Sequence, residues 1–203
     1  MIGFASVGAA GVVSKPSWRS PGIHPAEPAA DEAVREVLVE EGWLGADSAY
    51  RGRHSRYRAI ALQVLYECDT THHPLSQVLQ RRFASLRQNG MALTSRGQDL
   101  VRGLASGAWE ARDEIDRIIG GVAQRFPVDT LSVLDRNIMR LAVQEMLEPT
   151  MAKSIKVIVV EAVALAERYG TDQSPTFVHG VLGAVSQRLA RRADCAFLEE
   201  TGR

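Results

Sequence analysis

From Ser55 onward the apolar residues recur at helical spacing. Tyr57, Ile60, Ala61, Val64 and Cys68 form one stripe, and Leu62, Leu65 and Tyr66 form a second on another side. A helix with two apolar sides is either sandwiched in a core or leaves one side for a partner. His73-Pro74 opens a second helix through Leu75, Val78, Leu79, Phe83 and Leu86, ending near Asn89-Gly90. Thr94 starts a third, with Leu100, Val101, Leu104, Ala108 and Trp109, and the pattern resumes after a break through Ile115, Ile118, Ile119 and Val122. Pro127 interrupts it. Asp129 is placed to cap the next helix, whose stripe is Leu131, Leu134, Ile138, Leu141 and Met146, with Pro149 at its end. Residues 154–169 are apolar almost all round, which predicts the buried centre of a bundle. The β-branched run Val157–Val160 would suit a strand, but the stretch is too long for one, and Ala162, Ala164 and Ala166 favour helix. Ser174 as N-cap with Pro175 behind it starts a last helix. With no strand pattern and no internal repeat, the expected class is all-α.

Upstream the pattern changes. Residues 1–30 are rich in Gly, Ser, Ala and Pro and are expected to be disordered. Asp31 can cap a short helix carrying Val34, Val37 and Leu38, ending at Gly42. Residues 27–47 hold seven acids against one arginine, Arg35, whereas 51–58 hold four arginines and no acid. This reversal marks a boundary. An acidic segment tethered beside arginines is also a potential competitor for them. The first thirteen residues look like a signal-peptide core without its preceding basic stretch. No apolar run reaches the ~18 residues needed to span a bilayer, and the expected location is the cytoplasm.

Over 203 residues the formal net charge is zero, so any nucleic-acid binding has to come from local clustering of arginine. Arg51, Arg53, Arg56 and Arg58 stand at the start of a helix, where the dipole disfavours cations unless an anion offsets them. They are either a solvated basic segment or a phosphate-binding one. Tyr169 and Phe177 flank the turn 170–175, either as core residues closing a helix corner or as faces for unstacked bases. Glu145 and Glu161 sit on apolar stripes, and each is expected to pair with an arginine or a helix start rather than to do acid–base chemistry. No nucleophile–base set, glycine-rich phosphate loop or metal-spaced histidine pair is present, so neither cofactor nor metal is expected. Cys68 and Cys195 lack the spacing of a zinc site or disulfide framework. The GxxxG spacing of Gly103 and Gly107 points to close helix packing. Leu62 and Tyr66, with Asp135, Arg136 and Arg140, are a candidate protein-binding patch.

Three stretches carry a family resemblance: RGRHSRYRAIALQVLYE (51–67), LDRNIMRLAVQEML (134–147) and VEAVALAERYGTDQSPTFVHGVLG (160–183). In this order and spacing they resemble the NusB family, all-helical bacterial transcription antitermination factors that bind RNA. The resemblance implies a bundle of about six to seven helices in two packed subdomains over residues 51–192. An extension at 1–50 would precede it and a tail at 193–203 would follow. It implies that Arg51, Arg53, Arg56 and Arg58 contact a single-stranded boxA-like RNA, with Tyr169, Gln173 and Phe177 beside its path. It places Tyr66 and Asp135 near an interface with NusE, a small-subunit ribosomal protein. The implied role is non-catalytic: holding nascent RNA at the RNA polymerase elongation complex, including during ribosomal RNA synthesis. Some members of the family self-associate, so a homodimer is admitted. The chain departs from the family pattern at His54 and Ser55, where arginines are frequent, and at Val160 and His179, where asparagine is usual. Two alternatives stand beside this reading: the RNA-binding part of a truncated RNA cytosine methyltransferase, and a helical protein-interaction module.

Overall fold

The computed structural model describes residues 53–148 and 154–201, with side chains over 54–148 and 154–191. Among these residues seven α-helices follow one another: α1 Arg53–Thr71, α2 Leu75–Gln88, α3 Ser95–Glu110, α4 Arg112–Gly120, α5 Val133–Leu147, α6 Ile155–Tyr169 and α7 Ser174–Thr201. A 3-10 turn, Val128–Thr130, precedes α5. No strand occurs among the described residues, and the fold is all-α as its periodicity predicts. α1 packs on α2 and α3, α6 packs on α7, and α5 joins the two groups by touching α1, α3, α4, α6 and α7.

Turn chemistry sets the boundaries. Thr94 Oγ1 accepts the Gly97 amide at 3.2 Å and caps α3. α2 closes on Gly90 at φ 71, with the Met91 amide on Leu86 O and the Gly90 amide on Arg87 O, the Schellman arrangement that a left-handed glycine permits. Two expected starts move. Ser132, not Asp129, caps α5, its Oγ accepting the Asp135 amide at 3.2 Å, because residues 128–130 are taken up by the 3-10 turn. In α7 the first helical bond runs from the Phe177 amide to Gln173 O, so Ser174 lies inside the helix and turns its hydroxyl back to the Thr171 amide. The tail boundary expected after residue 192 falls within α7, which runs unbroken to Thr201. The helix expected over residues 31–42 lies outside the described residues.

Burial corrects the expected centre. Every residue of α1 from Arg58 to Leu65 is buried, so its two apolar stripes mean that it is sandwiched. α5 is buried at Asp135, from Asn137 to Val143, and at Glu145. α6, the most apolar stretch, buries Ile158, Ala162, Leu165 and Ala166 but leaves Val157 48% and Val160 66% exposed. It packs mainly on α5 and α7, whereas α5 has neighbours all round. Number of neighbours, not apolar content, decides which helix is central. Of the GxxxG pair, Gly107 lies tight against Gln144 of α5 while Gly103 faces open space. No described helix is long and apolar enough to cross a membrane.

Candidate nucleic-acid interface

The arginines at the start of α1 divide between two faces. Arg51 lies outside the described residues, and Arg53 is the first residue of α1. Arg56 is exposed and its Nη2 donates to Met91 O at 2.7 Å, across to the α2–α3 turn. Two residues on, Arg58 points inward and is only 4% exposed. Its Nε and Nη2 donate to Glu145 Oε1 and Oε2 at 2.6 and 2.7 Å, and its Nη1 lies 3.5 Å from Glu161 Oε2. This bidentate, charge-assisted pair locks α1 to α5. It also gives Glu145 and Glu161 the arginine that two carboxylates on apolar stripes require. The surface position expected of Arg58 is not where its side chain lies: burial of the charge is tolerable only because the carboxylates already hold it. No acidic residue occupies the first turn of α1, so its dipole-disfavoured arginine end is uncompensated there.

Tyr169, Gln173 and Phe177 gather at the α6–α7 turn. Gly170 makes the turn possible by close approach: a Cβ there would lie 2.5 Å from Ser174 Cβ and 2.7 Å from Ala166 O. The buried Ser174 hydroxyl accepts the Thr171 amide at 3.0 Å. Gln173 is exposed, while Tyr169 and Phe177 are half-buried against the core. Arg168 stacks over the Tyr169 ring at 5.5 Å. The Phe177 ring meets Phe126 edge-on, centroids 5.5 Å apart at 80°. Both rings therefore combine a packing role with an outward one. The arginine end and the aromatic turn lie toward opposite ends of the α1/α5 pair. Arg58 meets Glu145 at one end, and Asp69 meets Arg136 at the other. The eleven-residue step from Arg58 to Asp69 corresponds to about 16 Å of helix.

Arg82 of α2 was not singled out by the pattern of the chain, since it sits in the ordinary doublet Arg81-Arg82. Its Nε and Nη2 are buried without a hydrogen-bond partner. Burial pushes its guanidinium below the ordinary value, against the opposing influence of Glu67 and Tyr169. Arg81, by contrast, is bound to Glu67 at 2.7 Å.

The candidate protein-binding patch is largely closed. Leu62 is fully buried and Arg140 only 6% exposed. Arg140 bonds Asp116 through Nε and Nη2 at 2.8 and 2.7 Å, and its Nη1 reaches Asp69 at 3.1 Å. Arg136 and Asn137 converge on the same Asp69 oxygen at 2.9 and 3.0 Å. Leu62 and Arg140 are thus parts of the core rather than of a surface, Leu62 by apolar burial and Arg140 because its charge is held by carboxylates on other helices. Tyr66 is half-buried, and burial raises its hydroxyl pKa. Asp135 is buried; burial pushes its carboxyl up, more than the hydroxyls of Ser174 and Ser132 pull it down, and its Oδ1 has no partner. Cys68 is fully buried and its thiol is pushed up to about 12, chiefly by burial, which keeps it protonated and unreactive. Among the described residues no cluster could hold a metal ion.

Residues 55–187 match the NusB family. The transcription antitermination protein NusB of Roseiflexus castenholzii is 43% identical over 142 residues, covering 70% of this chain and 96% of the relative. The solved structure of T. maritima NusB superposes with a TM-score of 0.60 at 27% identity, covering 66% of this chain and 90% of that one. The fold also matches the structure of antitermination factors NusB and NusE in complex with dsRNA, with a TM-score of 0.58 at 23% identity, over 67% of this chain and 97% of that one.

Proposed function

Because the chain belongs to the NusB family, we propose that it is a non-catalytic, RNA-binding transcription antitermination factor. It holds a boxA-like single strand jointly with NusE and tethers nascent RNA to the elongating polymerase in the cytoplasm, including during ribosomal RNA synthesis. The observation that carries this reading is the start of α1: arginines at the positive end of a helix, Arg56 exposed, and no acid in the first turn. Such an end favours an anion, and phosphate is the one a polynucleotide supplies.

In this reading Arg51, Arg53 and Arg56 contact phosphates. Arg58 supports them from inside by fixing the helix on which they stand. Tyr169, Gln173 and Phe177 receive the strand at the far end, where unstacked bases can lie on aromatic faces. A ligand that reaches from Arg56 to the level of Asp69, thirteen residues on, spans about 20 Å along α1, which suits an extended single strand better than a small molecule. Tyr66 and Asp135 belong to the NusE side, Tyr66 by direct contact and Asp135 by holding the start of α5. The test is titration of labelled boxA-like RNA with the purified chain, alone and with purified NusE. Binding that tightens when NusE is added supports the reading. Absence of RNA binding under both conditions overturns it and leaves a helical protein-interaction module.

A further inference from the structure

The loop between α4 and the 3-10 turn ends in Gln124-Arg125-Phe126-Pro127, and Phe126 is 52% exposed. An aromatic ring left in water forfeits burial energy that a nearby core would supply. Its position is nevertheless held. The Phe126 amide donates to Ala123 O at 2.8 Å, and Pro127 O accepts both the amide and the hydroxyl of Thr130 at 3.0 and 2.7 Å. The backbone on both sides is thus tied, and the ring is presented rather than loose. It stands at 80° to Phe177 with centroids 5.5 Å apart. A perpendicular pair uses the edge of one ring and leaves aromatic face open, so the two rings form an L-shaped notch. A flat heterocycle fits such a notch with its face on one ring and its edge toward the other.

The surroundings supply charge. Arg125 precedes Phe126 and is exposed, and the Arg188 guanidinium of α7 lies over Gly121 at the start of the same loop. Neither forms an ion pair among the described residues. One turn beyond Phe177, Gly180 is exposed, and a side chain added there would meet nothing, so α7 leaves the mouth of the notch clear.

We propose that Phe126 and Phe177 form a stacking site for one splayed-out nucleobase of a single strand, with Arg125 and Arg188 placed for the flanking phosphates. The site rests on the RNA-binding reading and adds to it a residue, Phe126, that the pattern of the chain does not single out.

The experiment uses the full chain and a labelled boxA-like single strand, together with a set of strands each carrying one abasic nucleotide. Phe126→Ala is expected to weaken binding of the intact strand about 5- to 150-fold, the range of one lost base–aromatic stack, with the slope of log affinity against log salt unchanged. Its melting temperature is expected to stay near wild type because the ring is mostly exposed. Phe126→Trp is expected to retain binding, with a fluorescence that RNA quenches. One abasic position is expected to weaken the wild type yet leave Phe126→Ala unaffected. If wild type binds RNA and Phe126→Ala binds it equally well, the stacking site is overturned while the RNA-binding reading stands. The site is equally overturned if Phe126→Ala weakens only the binding of NusE, which makes the ring a protein contact. If wild type binds no RNA at all, the broader reading falls and the site with it.

Discussion

Arg56 and Arg58 stand two residues apart and about 200° around the same helix, and their fates separate accordingly. Charge clustering is legible along the chain, but the inward turn of Arg58 depends on Glu145, which lies 87 residues away. No local pattern reports that. Arg58→Ala removes the bidentate partner of a buried carboxylate, so it is expected to cost about 3–5 kcal/mol of folding stability, measured by denaturant unfolding. Arg56→Ala is expected to stay within about 0.5 kcal/mol of wild type in the same assay. It should instead weaken RNA binding and flatten the salt slope by about 0.7, the share of one phosphate contact. Equal stability losses for the two variants would mean that the buried pair is not what sets them apart. Asp135 offers a second separation. Its carboxyl is pushed up in the folded chain, chiefly by burial, so the native state binds the proton more tightly than the unfolded state. Its contribution therefore favours folding in acid and is lost as pH rises from the ordinary carboxylate value of about 3.9 through the raised native one. Asp135→Asn should make the protein more stable than wild type at neutral pH, with the advantage closing as the pH falls through the raised native value and gone once it is below about 4. A constant difference across that range would show that the desolvated charge is not its cause.

At the scale of elements, periodicity located the helices well and their environments less well. The helix over 154–169 was legible from length and alanine content, and so were the breaks at Asn89-Gly90 and Tyr169-Gly170. What the pattern missed is which helix the others surround. α5 carries Asp135, Asn137, Arg140 and Glu145, a composition that reads as partly solvated, yet all four are buried. Asn137, Arg140 and Glu145 are satisfied by Asp69, Asp116 and Arg58 on other helices. α6 is richer in valine and stays at the periphery, with Val157 and Val160 exposed. The α6–α7 turn shows the local chemistry that is legible and its limit. A glycine was foreseeable as the helix stop, but its reason is contact rather than conformation, since φ at Gly170 is −88 and any residue adopts that. Gly170→Ala drives a Cβ into Ser174 and Ala166 O. It is expected to cost about 1–3 kcal/mol by thermal or denaturant unfolding. Because the turn carries Tyr169, Gln173 and Phe177, RNA affinity should fall as well under conditions where the variant remains folded. Retention of both stability and affinity would show that Ser174 can retreat and that the turn is not a rigid support.

Over the whole molecule, 24 basic residues balance 24 acidic ones, so attraction for a polyanion has to arise from where the charges lie. The fold consumes several inside: Arg58, Arg136 and Arg140 are held by Glu145, Asp69 and Asp116. With Arg58 paired, the proposed phosphate contacts among the four arginines in 51–58 reduce to three, Arg51, Arg53 and Arg56. At about 0.7 per contact on a single strand, they predict a slope of log affinity against log salt near −2. Just upstream, residues 27–47 carry seven acids and one arginine, a net charge of −6. These residues lie outside the described ones, but the covalent link alone keeps their charge at high effective concentration beside Arg51, Arg53 and Arg56. The expectation is that they oppose an approaching polyanion, with added salt screening that opposition within a Debye length of about 10 Å at 0.1 M. Deleting residues 1–49, with every arginine from Arg51 retained, should therefore tighten RNA binding at low salt and steepen the salt slope. The two proteins should converge as salt rises. Isothermal or fluorescence titration at three or more salt concentrations reads both quantities. Equal affinities at the lowest salt would mean that the acidic segment holds itself away from the arginines, and that the start of α1 meets RNA without interference from the chain that leads into it.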